Sequence, residues 1–423
     1  MCQLLICNYI MSYKVFYTIF VIAVLVFGSF YIGLATPRQI MTIVMFAVCW
    51  KNRIIYLDKY FGLYIIFILG YILAQLFTGY FSEMIRMLLG YYLVSYVAYQ
   101  STKLLIYKEG NANLLMSILF FIGIADALIS IGQMYQVPYS HEISLLFGTN
   151  MLEDIYDAMD ERSQDTMMGY TVPGILGAVP NGYFLSAITL LCFYNKKAKL
   201  TLINIVLIVF FVYSTFIVQE RTALVACVIL SLFSLYKFLH SQSEVSVLKK
   251  VLVYSILLIS IVYVIPDLLD SIMRGDSRYA KGFSLGDERG EISQRAIDYL
   301  LLHPMGGIND FSATNHYPHN LFINMFMFGG MLGGIAALLL FFKQLYLLLK
   351  IVFSAISPYN VQQFVFVMMF ACYTINSLTH NLSIVTGEPT MWLLWGAIIG
   401  LQEYKQSKYQ KYISIDKYAN SNS

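Results

Sequence analysis

The chain is short of charge. Of 423 residues only 12% are Asp, Glu, Lys or Arg, about half the share a soluble domain carries. The 27 basic residues nearly balance the 24 acidic ones, leaving a formal net charge of +3. That scarcity excludes a soluble enzyme, a disordered chain and a nucleic-acid binder, each of which needs charge or polar surface that is missing here. Proline is sparse at nine residues, and no Pro- or Ser-rich linker, low-complexity tract or fixed-period repeat divides the sequence. Residues 1–423 therefore read as one domain. The six cysteines, Cys2, Cys7, Cys49, Cys192, Cys227 and Cys372, have no paired spacing and sit in apolar stretches, which argues against a disulfide framework or a zinc site. The first apolar run has no basic segment before it and no small-x-small cleavage site before it ends, so it is expected to stay as a helix.

What fills the sequence is hydrophobic: 59% apolar residues, among them 34 Tyr and 30 Phe, with a mean hydropathy of +0.67. The expectation is an all-α polytopic integral membrane protein. A bilayer-spanning helix takes roughly 20 residues, and the apolar runs between polar breaks predict twelve spans. These lie near 15–34, 39–50, 60–78, 82–99, 112–134, 171–194, 200–218, 222–239, 251–265, 320–349, 362–380 and 388–402. The second is short, and if it does not cross, the N-terminus moves to the other side while everything after it stays.

With the N-terminus in the cytoplasm, 18 basic residues fall inside and nine outside, which obeys the positive-inside rule. Both termini are then cytoplasmic. The outward nine are Arg38, Arg86, Arg162, Arg221, Arg274, Arg278, Lys281, Arg289 and Arg295, so eight of nine arginines face outward but only one of eighteen lysines. Arginine is the side chain suited to planar, bidentate recognition of phosphate or carboxylate. The outer face reads as built for an anion.

Two outer loops are long, 135–170 and 266–318. The first is acidic between Glu153 and Asp165, as in a solvated surface helix or lid. The second carries four of the eight outward arginines and three of the six histidines, His303, His316 and His319. Its densest cluster is Asn-His-Tyr-Pro-His-Asn, Asn315 to Asn320. Proline favours the first position of a helix, so Pro318 is expected to start the tenth span with His319 in its first turn. There the helix dipole disfavours imidazolium, and a neutral imidazole at a membrane face is a candidate general base. His319 also reads as an interfacial cap contact.

Arg221, in VQERTALVA, begins the eighth span straight after an apolar run. A charge at that depth is a site hypothesis by default; a snorkelling side chain or an ion pair with Glu220 is the plainer alternative. Arg289 and Arg295 lie in DERGEISQRAIDYLLLHP, where Ile292, Ala296, Tyr299 and Leu300 follow helical spacing. That predicts an amphipathic helix on the outer face, ended by His303-Pro304 and Gly306-Gly307. It holds Arg289 near its N-terminal end, where anions gather. A solvated charged face suits Arg295 better than Arg289.

Three signals carry less. GFSLG (Gly282–Gly286) matches a nucleophile-elbow pattern but lacks the strand-turn-helix that motif needs. His316 and His319 form H-x-x-H without a carboxylate or cysteine partner, and the Asp157/Asp160 and Asp267/Asp270 pairs read as ordinary helix ends, so no metal is expected. Gly329, Gly330, Gly333 and Gly334 make two overlapping G-x-x-x-G pairs about 15 Å below His319 at 1.5 Å per residue. Such spacing lets helix backbones approach closely.

Together these residues resemble the O-antigen polymerase and O-antigen ligase superfamily of bacterial envelopes. His319-Asn320, nine residues, then Gly330-Met331-Leu332-Gly333 is similar to its H-[NSQ]-x9-G-x-x-G pattern. QERTALVA resembles its short arginine motif at the outer end of a span, and ERGEISQRAIDYLLLHPMGGI resembles its segment of arginine, amphipathic helix, His-Pro and G-x-G. The three occur in the family's order; MGGI stands where G-x-G is usual. The resemblance implies a GT-C-like bundle in the bacterial inner membrane with a periplasmic active site in loop 266–318. It implies a metal-independent, cofactor-free glycosyltransferase whose donor is an undecaprenyl-diphosphate-linked glycan. Carried onto this sequence, Arg221 and Arg289 bind the diphosphate and His319 deprotonates the acceptor hydroxyl, with Asn320, His316, Arg295 and Arg278 as further substrate-binding candidates. Lipid and a chain-length regulator are the implied partners; nucleic acid is not.

Polymerase and ligase differ in the acceptor: a second lipid-linked repeat unit, or the outer core of lipid A. The compact second loop and the Tyr/Phe/Ile/Lys-heavy composition resemble the polymerases more closely, with the ligase as the alternative. A lipid-linked oligosaccharide flippase is a distant alternative, since it calls for charges spread through the spans and inverted repeats, neither of which is evident.

Overall fold

A computed structural model of the chain describes residues 2–28, 35–51, 58–147, 172, 174–218, 220–241, 286–315, 317–318, 320–378 and 385–421, and among these it is helical with no strand. The helices are α1 (Cys2–Val26), α2 (Pro37–Lys51), α3 (Lys59–Thr78), α4 (Phe81–Met87), a π-helical turn (Leu88–Tyr92), α5 (Leu93–Glu109), α6 (Asn113–Met134) and α7 (Ser140–Leu145). After these come α8 (Ala178–Leu191), α9 (Leu202–Ile217), α10 (Arg221–Ser241), α11 (Gly286–Leu302), α12 (Ile308–Thr314), α13 (Leu321–Val352), α14 (Val361–Ser377) and α15 (Pro389–Ser421).

Among the described residues four helices are long and apolar enough to cross a membrane: α3, α6, Thr222–His240 of α10, and α13. The runs expected at 60–78, 112–134, 200–218, 222–239, 320–349 and 362–380 correspond to α3, α6, α9, α10, α13 and α14. Other boundaries move. The first helix closes at Val26 instead of reaching residue 34, and α2, at 15 residues, is about 22 Å long, short of a bilayer core. Helix α8 starts only at Ala178, while α15 runs on to Ser421 through a stretch of Lys, Gln and Glu, all good helix formers. The run at 251–265 lies outside the described residues.

Local chemistry sets several of these ends. Asp58 caps α3, its carboxylate accepting from the N–H groups of Tyr60 (3.0 Å) and Phe61 (2.9 Å). Thr201 and Asn204 form a reciprocal capping box that opens α9.

Glycine decides how the long helices pack. A Cβ on Gly70 of α3 would lie 2.3 Å from the Gly329 carbonyl and 2.9 Å from the Gly333 Cα. Helices α3 and α13 therefore touch backbone to backbone, the close approach that a small-residue spacing permits. Helices α5 and α15 do the same. A Cβ on Gly396 or Gly400 would sit 2.7 Å from the Tyr99 carbonyl or 2.8 Å from the Lys103 carbonyl. Around these contacts Phe61, Tyr64, Tyr92, Tyr99 and Trp392 form an edge-to-face aromatic cluster, a geometry that adds to apolar burial. Helix α8 is the hub, packed by α6, α9, α10 and α14. Every residue from Asn181 to Phe193 is buried, as expected for a helix that is apolar all round.

Candidate functional site

Residues 303–307 dock onto a break in α13. Gly330 adopts φ 61°, ψ −168° inside that helix, a region that only glycine occupies at ease. In an unbroken helix the Met331 N–H would bond the Met327 carbonyl. Here Met331 N–H donates to the Pro304 carbonyl (2.8 Å) and the Met327 carbonyl accepts from Gly307 N–H (3.0 Å). Gly306 (φ 85°) and Gly307 (φ 138°) let the loop approach; a Cβ on Gly306 would meet the Met327 carbonyl at 2.8 Å and the Gly330 nitrogen at 2.9 Å. The double glycine of MGGI thus matches a local need for positive φ at two consecutive residues.

On either side of this clamp stand two helices of the second loop. Helix α11 buries Ile292 and Ala296 and half-buries Tyr299 and Leu300, the face its spacing predicts. Tyr299 donates to Asp310 (2.8 Å) and stacks on His303, with ring centroids 4.2 Å apart. Burial first, then the Asp310 carboxylate, push the Tyr299 phenol well above its ordinary value. Helix α12 is tied to α3 by Asn309, which donates to Gln75 (2.8 Å).

The chain then turns into α13, and the start differs from the expectation. Pro318 is not the first helical residue; Asn320 is the N-cap, extended at φ −145° and ψ 118°. Its side-chain oxygen accepts from Phe322 N–H (3.0 Å) and Ile323 N–H (3.2 Å). An Asn that satisfies two orphan donors outcompetes a Pro two residues earlier, so position 319 lies just before the helix and not in its first turn. Asn324, buried one turn on, donates to the Pro318 carbonyl (3.0 Å). The two asparagines fix the backbone on both sides of position 319. His319, His316 and Arg278 lie outside the described residues.

Arg221 is the first residue of α10 and Arg289 lies in the first turn of α11, each at a helix N-terminus where the orphan N–H groups favour anions. Arg295 is exposed and engaged: it pairs with Glu291 at 3.0 Å and donates to Asn315 at 3.3 Å. It tethers the start of the Asn315–Asn320 segment to α11.

A buried polar group went unnoticed in the sequence. Asp126, in the middle of α6, is fully buried and accepts from Ile175 N–H (2.8 Å). Gln133 accepts from Gly174 N–H (2.9 Å), and Asn181 donates to the Val172 carbonyl (2.8 Å) and to Ser130 (3.0 Å). Ser144 donates to the Gly174 carbonyl. Non-helical backbone within an apolar bundle needs such partners, and these side chains supply them to Val172, Gly174 and Ile175. Gly174 (φ 54°) leaves no room for a Cβ, which would fall 2.2 Å from Asp126 Oδ1. The neighbouring Gly182 is packed against Glu220, the buried residue preceding Arg221. The signal that would have found Asp126 is a lone carboxylate in a 22-residue apolar run.

No family model matches the chain, and no curated protein matches it at a significant level of similarity.

Proposed function

We propose that the protein is an O-antigen polymerase, joining undecaprenyl-diphosphate-linked repeat units at the periplasmic face of the bacterial inner membrane. The observation that carries this reading is the clamp between His303–Gly307 and the Gly330 break. It brings together two of the three segments on which the family resemblance rests. In the proposed reaction the acceptor sugar hydroxyl attacks the anomeric carbon of the donor glycan. His319 takes the hydroxyl proton as the new glycosidic C–O bond forms. The bond from that carbon to the diphosphate breaks with inversion, and the leaving diphosphate keeps the electron pair. Arg221 and Arg289 stabilise its charge, each worth on the order of 2–4 kcal/mol by analogy with oxyanion donors. His316, Asn320, Arg295 and Arg278 complete the substrate contacts; a chain-length regulator is the proposed protein partner.

The test is the lipopolysaccharide profile of a null strain complemented with wild type or His319→Ala. Core bearing a single repeat unit means that ligation works and polymerisation has failed, as proposed. Core without any repeat, with polymer accumulating on the carrier lipid, makes the protein the ligase instead. A full ladder from His319→Ala removes the catalytic assignment.

A further inference from the structure

We infer that the C-terminal tip of α11 is inserted into the hydrocarbon of the adjacent leaflet, so that this helix enters the bilayer obliquely and holds the clamp within that leaflet. The inference stands apart from the proposed chemistry and rests on two patterns of exposure.

The first is along α11 itself. Its outward stripe, at three- and four-residue intervals, runs Glu291, Gln294, Arg295, Asp298 and then Leu301 and Leu302. Charged and amide groups fill its first turns, but the stripe ends in two leucines that are 77% and 79% exposed. Glu291 and Leu301 are separated by about 15 Å of helix axis. A helix lying flat on a membrane keeps one chemistry along each stripe. A change of chemistry along a single stripe means the axis crosses from water into apolar surroundings.

The second pattern fixes the depth. Helix α13 has 32 residues and is about 48 Å long at 1.5 Å per residue, well beyond a hydrocarbon core of about 30 Å. From Leu321 to Gly330 it is mostly covered by protein, with Phe322 alone exposed. Beyond the break a regular exposed stripe begins: Met331, Leu332, Ile335, Leu339 and Phe342. Exposed Lys343 closes that stripe; Gly330 to Phe342 measures only about 18 Å, so a core of about 30 Å extends past the break toward the start of α13. The break, where Met331 bonds to Pro304, therefore lies within the leaflet and not outside it. Leu301 and Leu302 immediately precede that contact, and half-exposed Met305 follows it. They continue the lipid-facing belt of α13, and acyl chains are the occupant that continuity demands.

The experiment uses the full chain in liposomes, with the native cysteines replaced and single spin labels at Gln294→Cys, Asp298→Cys, Leu301→Cys and Leu302→Cys. Collision with oxygen, which concentrates in lipid, is compared with collision with a water-soluble nickel chelate. The expected result is a reversal of the preference between 298 and 301. Nickel access at 302 equal to that at 294 overturns the inference in favour of water. An immobilised label that neither reagent reaches overturns it in favour of a protein partner. A second readout leaves every cysteine in place: a benzophenone side chain at position 302 is photolysed in the same liposomes. A lipid adduct is expected, and a protein adduct or none overturns the inference.

Discussion

Pro304 and Met331, twenty-seven positions apart, are joined by a 2.8 Å backbone hydrogen bond at the one place where α13 loses its helical dihedrals. The loop that carries the proposed chemistry is thus fastened to the membrane-crossing helix by main-chain groups, and glycine is what makes this possible.

Gly330→Ala is expected to weaken the protein by about 1–3 kcal/mol, the cost of forcing a side chain into a dihedral region reserved for glycine. The new Cβ would also fall 2.5 Å from the Met305 carbonyl. Gly290→Ala is the control, since nothing lies within 4 Å of its Cβ position. Thermal unfolding in detergent should drop for the first and hold or rise slightly for the second.

Asn320→Ala removes a cap and should cost about 1 kcal/mol. Asn320→Asp retains the cap, so its stability should stay near wild type. If Asn320 also touches substrate, the Asp variant will still lose chain extension, with a negative charge beside a diphosphate. Stability and polymer length measured on both variants separate the structural role from the binding role.

Arg289→Ala should reduce polymer output far more than Arg295→Ala. The guanidinium of Arg295 is already shared between Glu291 and Asn315, so its loss loosens a tether. Arg289→Lys should recover only part of the activity, because an ammonium lacks the planar fork that grips a phosphate. Turnover of purified lipid-linked repeat units by the three variants checks the order.

At the opposite end of α3, Lys103 is 2% exposed and bridges Asp58 (2.9 Å) and Glu403 (2.8 Å), while Tyr99 donates to the same Asp58. Burial alone would raise the Asp58 carboxyl. The N–H of Phe61, the Tyr99 hydroxyl and Lys103 together draw it below its ordinary value. The folded state then binds that proton more weakly than the unfolded one, so the stabilisation is complete above about pH 4 and is lost as pH falls through the lowered value. Lys103→Met should cost about 3–5 kcal/mol by stranding a buried carboxylate, and should flatten that acid limb. Unfolding followed from pH 7 to pH 3 reads both.

Much of the helical layout was legible because period and hydropathy are written locally. The buried face of α11, Ile292 and Ala296 above all, follows from spacing alone, and so does the extent of α3 and α6. Pro318 misled because a capping asparagine competes with a helix-starting proline, and only the bonds to Phe322 and Ile323 decide between them. The G-x-x-x-G pair at Gly396 and Gly400 went unread, although its spacing equals that of Gly329 and Gly333. Gly330 looked like one more packing residue; that it breaks the helix depends on Pro304, which lies in another segment. Asp126 stood out only as a lone carboxylate in an apolar run and Asn181 not at all, since the backbone they satisfy, at Ile175 and Val172, lies in another segment, and no local pattern announces a partner forty-nine residues away.

The seat of α15 bears on how the chain is made. Helix α5 buries Ser95, Gln100, Ser101, Thr102 and Lys103, and earlier segments meet part of that face, Tyr17 bonding Thr102 and Asp58 pairing with Lys103. The rest is closed by Gly396 and Gly400, packed on the backbone at Tyr99 and Lys103, and by Glu403, nearly three hundred residues later. Until that last segment is delivered the face is only partly closed. A ribosome stalled before residue 389 would leave Lys103 with Asp58 but without Glu403, and the α5 backbone without the helix that packs on it.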